Sequence, residues 1–142
     1  MITHELTARL KRVDDKDVDQ PVATTLAYDA GTDPFAVQAI FKVSDTEDRV
    51  WHFSRELLAV GARSVTPYGS GDVKFRFFPS RGVVLMCLRT NRQGPSEATH
   101  ADIALLASDV GAFLDATAEA AEVTNEECDA LVDLFLKELF EA

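Results

Sequence analysis

Residues 2–12 alternate without a break: Ile2, His4, Leu6, Ala8 and Leu10 fall on one side, Thr3, Glu5, Thr7, Arg9 and Lys11 on the other. A period of two sends successive side chains to opposite faces of an extended chain, so the stretch reads as a long, half-buried strand. One apolar and one polar face commit the chain to a sheet-based fold with a solvated side.

The same period recurs downstream. A polar, turn-like segment over 14–20 leads to Pro21 and a second strand with Val22, Thr24, Leu26 and Tyr28 on one face. Gly31 and Asp33-Pro34 mark a turn, because Gly accepts positive φ and Pro34 pushes Asp33 out of the helical region. Phe35, Val37, Ala39, Phe41 and Val43 then line a third strand, and 49–54 form a fourth. Ser54 is placed to cap a short helix, RELLAVG, with Gly61 as its stop. A fifth strand runs from Val73 to Pro79, and a sixth over 83–90 has an unbroken apolar run that implies burial on both faces.

Beyond residue 100 the period lengthens. Ile103, Leu106, Val110, Phe113 and Leu114 recur at three and four, which predicts a helix over about 102–118. Thr124 and Glu127 form a capping box ahead of Cys128, Leu131, Val132, Phe135, Leu136, Leu139 and Phe140, which predicts a second helix over 125–140. That last stripe carries more apolar bulk than one small sheet face covers, which points to burial against another subunit. Six strands followed by two helices make one α+β domain across residues 1–142.

No apolar run approaches the roughly 18 residues of a membrane span, and the N-terminus has no apolar core of a secretion signal, so the expected location is the cytoplasm. Cys87 and Cys128 sit among apolar residues and read as buried thiols acting as small hydrophobes. His4, His52 and His100 are scattered, with no zinc spacing around them. Charge is unevenly shared: residues 1–95 hold 13 Lys or Arg against 12 Asp or Glu, and residues 96–142 hold one against 12. The excess of negative charge on the last third repels nucleic acid and anionic membrane at long range.

No catalytic, cofactor or metal constellation stands out. Gly69-Ser70-Gly71-Asp72 lacks the Lys-Ser/Thr of a phosphate loop and precedes a strand, so it reads as a β-turn. Ser54, Ser64 and Ser80 have no nucleophile elbow around them. One surface carries an alternative. Lys74, Arg76 and Phe78 share a strand face opposite Val73, Phe75 and Phe77, with Arg81, Arg89 and Arg92 nearby. Cations with an interleaved ring are what single-strand nucleic-acid binders use, whereas the overall acidity favours a merely solvated basic face.

Three blocks stand in order: Asp33-Pro34-Phe35-Ala36-Val37, then Trp51-His52-Phe53-Ser54-Arg55-Glu56-Leu57-Leu58 with Gly61, then Gly69-Ser70-Gly71-Asp72-Val73 with Pro79. In order and spacing they resemble the SsgA-like proteins of sporulating actinomycetes, and the SsgB type among them. Ser54 stands where that family usually has Ala and Phe35 where Tyr is common, and the acidic C-terminal third matches poorly. The resemblance implies a strongly twisted antiparallel sheet similar to Whirly and mitochondrial guide-RNA-binding proteins, with two C-terminal helices. It further implies a non-enzymatic, homotrimeric regulator of sporulation-specific division that localises the tubulin-like protein FtsZ at the septum. On that reading Asp33, Pro34, Phe35, Trp51, Arg55, Glu56, Leu57, Leu58, Gly71 and Asp72 are the partner-binding candidates. Spacing adds a division within the segments 33–43 and 50–61. Phe35, Val37, Phe41, Trp51, Phe53, Leu57 and Leu58 fall on inward faces, and Asp33, Arg55 and Glu56 are expected at the surface.

Overall fold

β1 (Ile2–Val13) and β2 (Lys16–Tyr28) form the longest pair in the molecule, antiparallel from Ile2 opposite Tyr28 to Val13 opposite Lys16. The computed structural model describes residues 1–90, 100–121 and 137. Asp14 takes φ 53 in the turn between β1 and β2, a left-handed conformation that Asp tolerates better than most residues. The segment 14–20 is therefore mostly strand, not turn. It escapes a hydrophobic reading because it extends past the core, with Val18 its one half-buried apolar side chain. There the pair is held by its ladder and by Arg9 and Lys11, which bond Asp19 at 2.7 and 3.3 Å.

β3 (Ala36–Lys42) and β4 (Asp48–Ser54) complete a four-strand meander. Helix α1 (Arg55–Gly61) and the loop after it carry the chain to the far edge, from which β5 (Val73–Phe78), β6 (Val83–Arg89) and β7 (His100–Leu106) return toward β1. The order is β4-β3-β2-β1-β7-β6-β5, with every pair antiparallel. β4 and β5 are thus opposite edges, yet Phe53 of β4 meets Phe75 of β5 edge-to-face at 5.1 Å between ring centroids. The sheet curls until its edges touch across the core.

That core lies on the concave face. It joins Ala8, Leu26, Tyr28, Val37, Ala39, Phe41, Phe53, Phe75, Val84, Met86, Ile103 and Leu105 to Leu58 of α1. A second helix, α2, spans residues 107–121 and lays Val110, Phe113, Thr117 and Ala121 on the same face. Its first turn is tied to β1 by His4 Nε2 against Asp109 Oδ1 at 3.0 Å.

The period-two faces assigned to β1, β2 and the middle of β3 are those observed. Three further expectations need correction. The helix predicted over 102–118 begins only at 107, because 100–106 is a seventh strand that pairs with both β1 and β6. Ile103 and Leu105 are buried by strand alternation and Leu106 is 52% exposed, so the three-four spacing through 106 was coincidental. β6 buries Val84, Met86 and Leu88, while Val83, Leu85 and Cys87 on its other face are half exposed. Phe35 and Val43, the expected ends of the third strand, lie just beyond β3 and are 55% and 52% exposed, so Phe35 is not on an inward face. The helix predicted over 125–140, with Cys128, and the side chain of Arg92 lie outside the described residues.

Candidate partner-binding groove

Each of the three sequence blocks is fixed by its own backbone before it presents anything outward. In the first, Asp33 Oδ1 accepts from Phe35 N at 3.1 Å, closing a local turn of the kind Asp favours. Tyr28, whose burial raises its phenol pKa, donates its hydroxyl to the Pro34 carbonyl at 2.7 Å. Asp29 holds the preceding bend, accepting from Thr32 Oγ1 and Gly31 N, and the Thr32 bond leads the effects that lower its pKa. Asp33 and Pro34 therefore build the turn, and Phe35 is the residue the turn exposes.

The second block follows directly in space, since Arg55 N donates to Phe35 O at 2.8 Å and extends the β3–β4 ladder by one rung. Ser54 caps α1, its Oγ accepting from Leu57 N at 3.0 Å. Glu56 is exposed in the first turn, where a carboxylate suits the positive end of the helix. Leu58 is fully buried, and Trp51 and Leu57 are half-buried against the core. Arg55 was expected at the surface. Instead its Nε donates to Thr117 Oγ1 at 2.8 Å and its Nη2 to the Leu114 carbonyl at 2.9 Å, so it clamps α2. Gly61 is not a stop either: it belongs to α1, which is capped by Ala62.

The third block is a glycine loop with a fixed shape. Gly69 has φ 132, and a Cβ there would lie 2.7 Å from the Val73 carbonyl and 3.1 Å from Leu57 Cδ1. Gly71 has φ 85, and the Asp72 carbonyl accepts from Arg89 N at 2.8 Å while its side chain stays exposed. With Gly69 packed on Leu57, the second and third blocks enclose an open groove of about 700 Å³ lined by Ser54, Glu56, Leu57, Pro67, Tyr68, Gly69 and Ser70. Among these lining residues Glu56 carries the one charge. Ser54 Oγ is engaged as a cap and no histidine joins it, so the lining offers apolar contact, hydroxyls and one carboxylate rather than a nucleophile with its base.

The family described as Streptomyces sporulation and cell division protein, SsgA, matches residues 22–126. The chain belongs to the SsgA family. It is 35% identical over 125 residues, 87% of its own length and 77% of the relative's, to the sporulation-specific cell division protein SsgB of Streptomyces coelicolor. A solved structure reported under the words "Mutations in SsgB correlate to longitudinal cell division during sporulation of Streptomyces coelicolor" superposes with TM-score 0.72 at 31% identity. That match covers 89% of this chain and 93% of the other. The structure of an SsgA-like sporulation-specific cell division protein from Thermobifida fusca superposes with TM-score 0.67 at 27% identity, covering 93% of each chain. The α+β reading with an antiparallel sheet and the SsgA-like resemblance are both upheld, and the relatives carry the names of sporulation and cell division proteins.

Within this SsgA-family chain the candidate residues divide by task. Glu56 and Leu57 line the groove, while Phe35, whose carbonyl accepts from Arg55 N, is exposed outside that lining. Asp33, Pro34, Trp51, Arg55, Leu58, Gly71 and Asp72 do not line it and serve turn, core or clamp. Sequence reasoning read Gly69–Asp72 as a β-turn and gave Pro67, Tyr68 and Ser70 no part in a surface, so these three were missed. The available signal was an aromatic residue in a loop otherwise made of Pro, Gly and Ser.

The alternative surface on β5 is present but rearranged. Lys74, Arg76 and Phe78 share one face as expected, but the Arg76 guanidinium lies 4.5 Å over the Phe78 ring and its Nε donates to the Val65 carbonyl at 2.9 Å. The ring face that a base would stack on is occupied. Arg81 is exposed. Cys87, on the same side of the sheet, has its thiol pushed up to about 12 by burial and then by Asp102, which in turn bonds His100 Nε2 at 2.8 Å. That environment disfavours the thiolate, the nucleophilic form. No described helix is long and apolar enough to cross a membrane.

Proposed function

We propose that this chain is a non-enzymatic adaptor of sporulation-specific cell division, acting through protein contacts at the septum, with FtsZ as the first candidate partner. Homotrimeric assembly, carried over from the family resemblance, is part of the proposal. The observation that carries it is the convergence of the family's second and third blocks on one groove, where Leu57 touches the Gly69 turn beside exposed Glu56 and Tyr68. Such a lining suits a peptide segment with an apolar residue for Leu57 and Tyr68 and a donor or cation for Glu56.

Co-sedimentation with FtsZ polymers at physiological salt tests it. The intact protein is expected to pellet with the polymers. Glu56→Lys and Tyr68→Ala, both at exposed positions, are expected to weaken binding by about tenfold or more with the circular dichroism spectrum unchanged. Binding unaffected by both substitutions puts the contact elsewhere, and no co-sedimentation of the intact protein removes FtsZ as the partner.

A further inference from the structure

The outer face of the β5–β6–β7 half of the sheet has an apolar centre. In register across the three strands, Phe78, Val83 and Leu106 form one row, and Arg76, Leu85 and Ala104 the next. Leu106 is 52% exposed, and Phe78, Val83 and Leu85 are half-buried. Cations stand at both ends of this centre, with Arg81 in the turn beyond Phe78, and Lys74 and Arg89 further along the strands. None of these three has an ion pair among the described residues, and Asp102, the acid in the row of Lys74, is bonded by His100.

The chain carries one segment of matching chemistry. Residues 122–142 hold seven Asp or Glu against one Lys. On the helix expected over 125–140, about 3.6 residues per turn set Asp129 and Asp133 along one border of the apolar stripe and Glu127 and Glu138 along the other. Lys137 falls on the side away from the stripe, and it is helical and exposed. A stripe bordered by acids on both sides is complementary to an apolar face ended by cations.

Reach assigns the segment to another copy. α2 ends at 121 on the concave face, with Ala121 buried in the core. From there to Thr124, the cap of the expected helix, three residues extend at most about 11 Å. Helices on opposite faces of one sheet have axes about 20 Å apart, half a helix diameter on each side of a layer about 10 Å deep. The segment therefore falls short of its own outer face.

We infer that residues 125–140 of one copy dock on the outer face of β5, β6 and β7 of the next, the stripe on Leu85 and Leu106 and its bordering acids on Lys74, Arg81 and Arg89. The contact joins unlike surfaces, so it runs head to tail and closes into a ring under threefold rotation. It rests on the homotrimeric part of the proposed function. It also leaves the groove free for a partner, since the groove's lining includes none of these residues.

Complementation between two full-length variants, read by sedimentation equilibrium, tests the docking. Leu106→Glu spoils the face and keeps the segment, whereas Phe135→Glu spoils the segment and keeps the face. Wild-type protein is expected to associate and each variant alone to sediment as a monomer. Their equimolar mixture is expected to form a dimer through the one intact contact. Variants that stay associated, or that stay monomeric on mixing, overturn the docking. Wild-type protein that is monomeric throughout overturns it together with the homotrimer, while co-sedimentation with FtsZ reads the adaptor role separately. Circular dichroism checks the fold of each variant. Should Phe135→Glu not fold, Asp129→Lys combined with Asp133→Lys, both at polar positions, takes its place with the same outcomes.

Discussion

A methyl group at Gly61 would stand 2.5 Å from Cβ of Phe75, a fully buried side chain. Neither carbon can rotate away, because each is attached directly to backbone. Alanine gains about 1 kcal/mol over glycine in a helix, whereas overpacking a fixed contact costs about 1–3 kcal/mol, so the clash decides the sign. Gly61→Ala is therefore expected to destabilise by about 1–2 kcal/mol, read as a fall in Tm of roughly 3–8 °C. A melting temperature equal to or above the wild type's would show that α1 can lift off β5 at no cost. In the sequence Gly61 looked like a helix stop, since a glycine after an apolar turn is a common C-terminal signal. What it does instead depends on a residue 14 positions later, and no local pattern reports that distance. Phe35 was misplaced for a related reason: alternation assigns its face, but burial ends where β3 ends, one residue on.

Between elements, the joint most exposed to test is Arg55. It starts α1 yet spends its guanidinium on Thr117 and Leu114 of α2, so one side chain ties the crossover helix to the helix that roofs the core. Arg55→Ala removes two hydrogen bonds from a charged donor, an expected loss of about 1–3 kcal/mol. Arg55→Lys should fall between, since an ammonium does not span both acceptors in the fixed geometry of the fork. Hydrogen exchange is expected to quicken across residues 110–118 in Arg55→Ala while β1 and β2 stay protected. Uniform exchange equal to wild type would deny the clamp its role. The strands were legible because one face of each is wet: β1 and the core part of β2 announce themselves by period two. The β7–α2 boundary was not. Leu106 precedes the helix where a capping Ser, Thr, Asp or Asn would announce it, and Ile103, Val110 and Phe113 satisfy helical spacing across the junction. What ends the strand is tertiary, with Ala107 N donating to the Gly82 carbonyl as the last rung.

For the whole molecule, the curl decides which residues become neighbours. It carries the Gly69 loop onto α1, so blocks separated by a full crossover share one groove, and it turns the other face of the sheet outward. On that face Lys74 and Arg89, with Arg81 in the turn after β5, are exposed cations without an ion pair among the described residues, while Arg9 and Lys11 are already committed to Asp19. Single-strand binding needs several phosphate contacts together with free rings, and its affinity grows with the number of counterions released. Here the one ring on the β5 face lies under Arg76, and the chain as a whole carries a formal charge of -10. Screening over about 8 Å at physiological salt hides much of the distant acidity, so a local basic face would still act if it were equipped to. Because it lacks the stacking platform, fluorescence anisotropy with single-stranded oligonucleotides is expected to stay flat at physiological salt and to rise only weakly at low salt. Micromolar binding that falls steeply with salt and disappears in the Lys74→Glu, Arg76→Glu double variant would reverse this. It would mean that Arg76 leaves Phe78 when a base arrives, and that the convex face, rather than the groove, is the working surface.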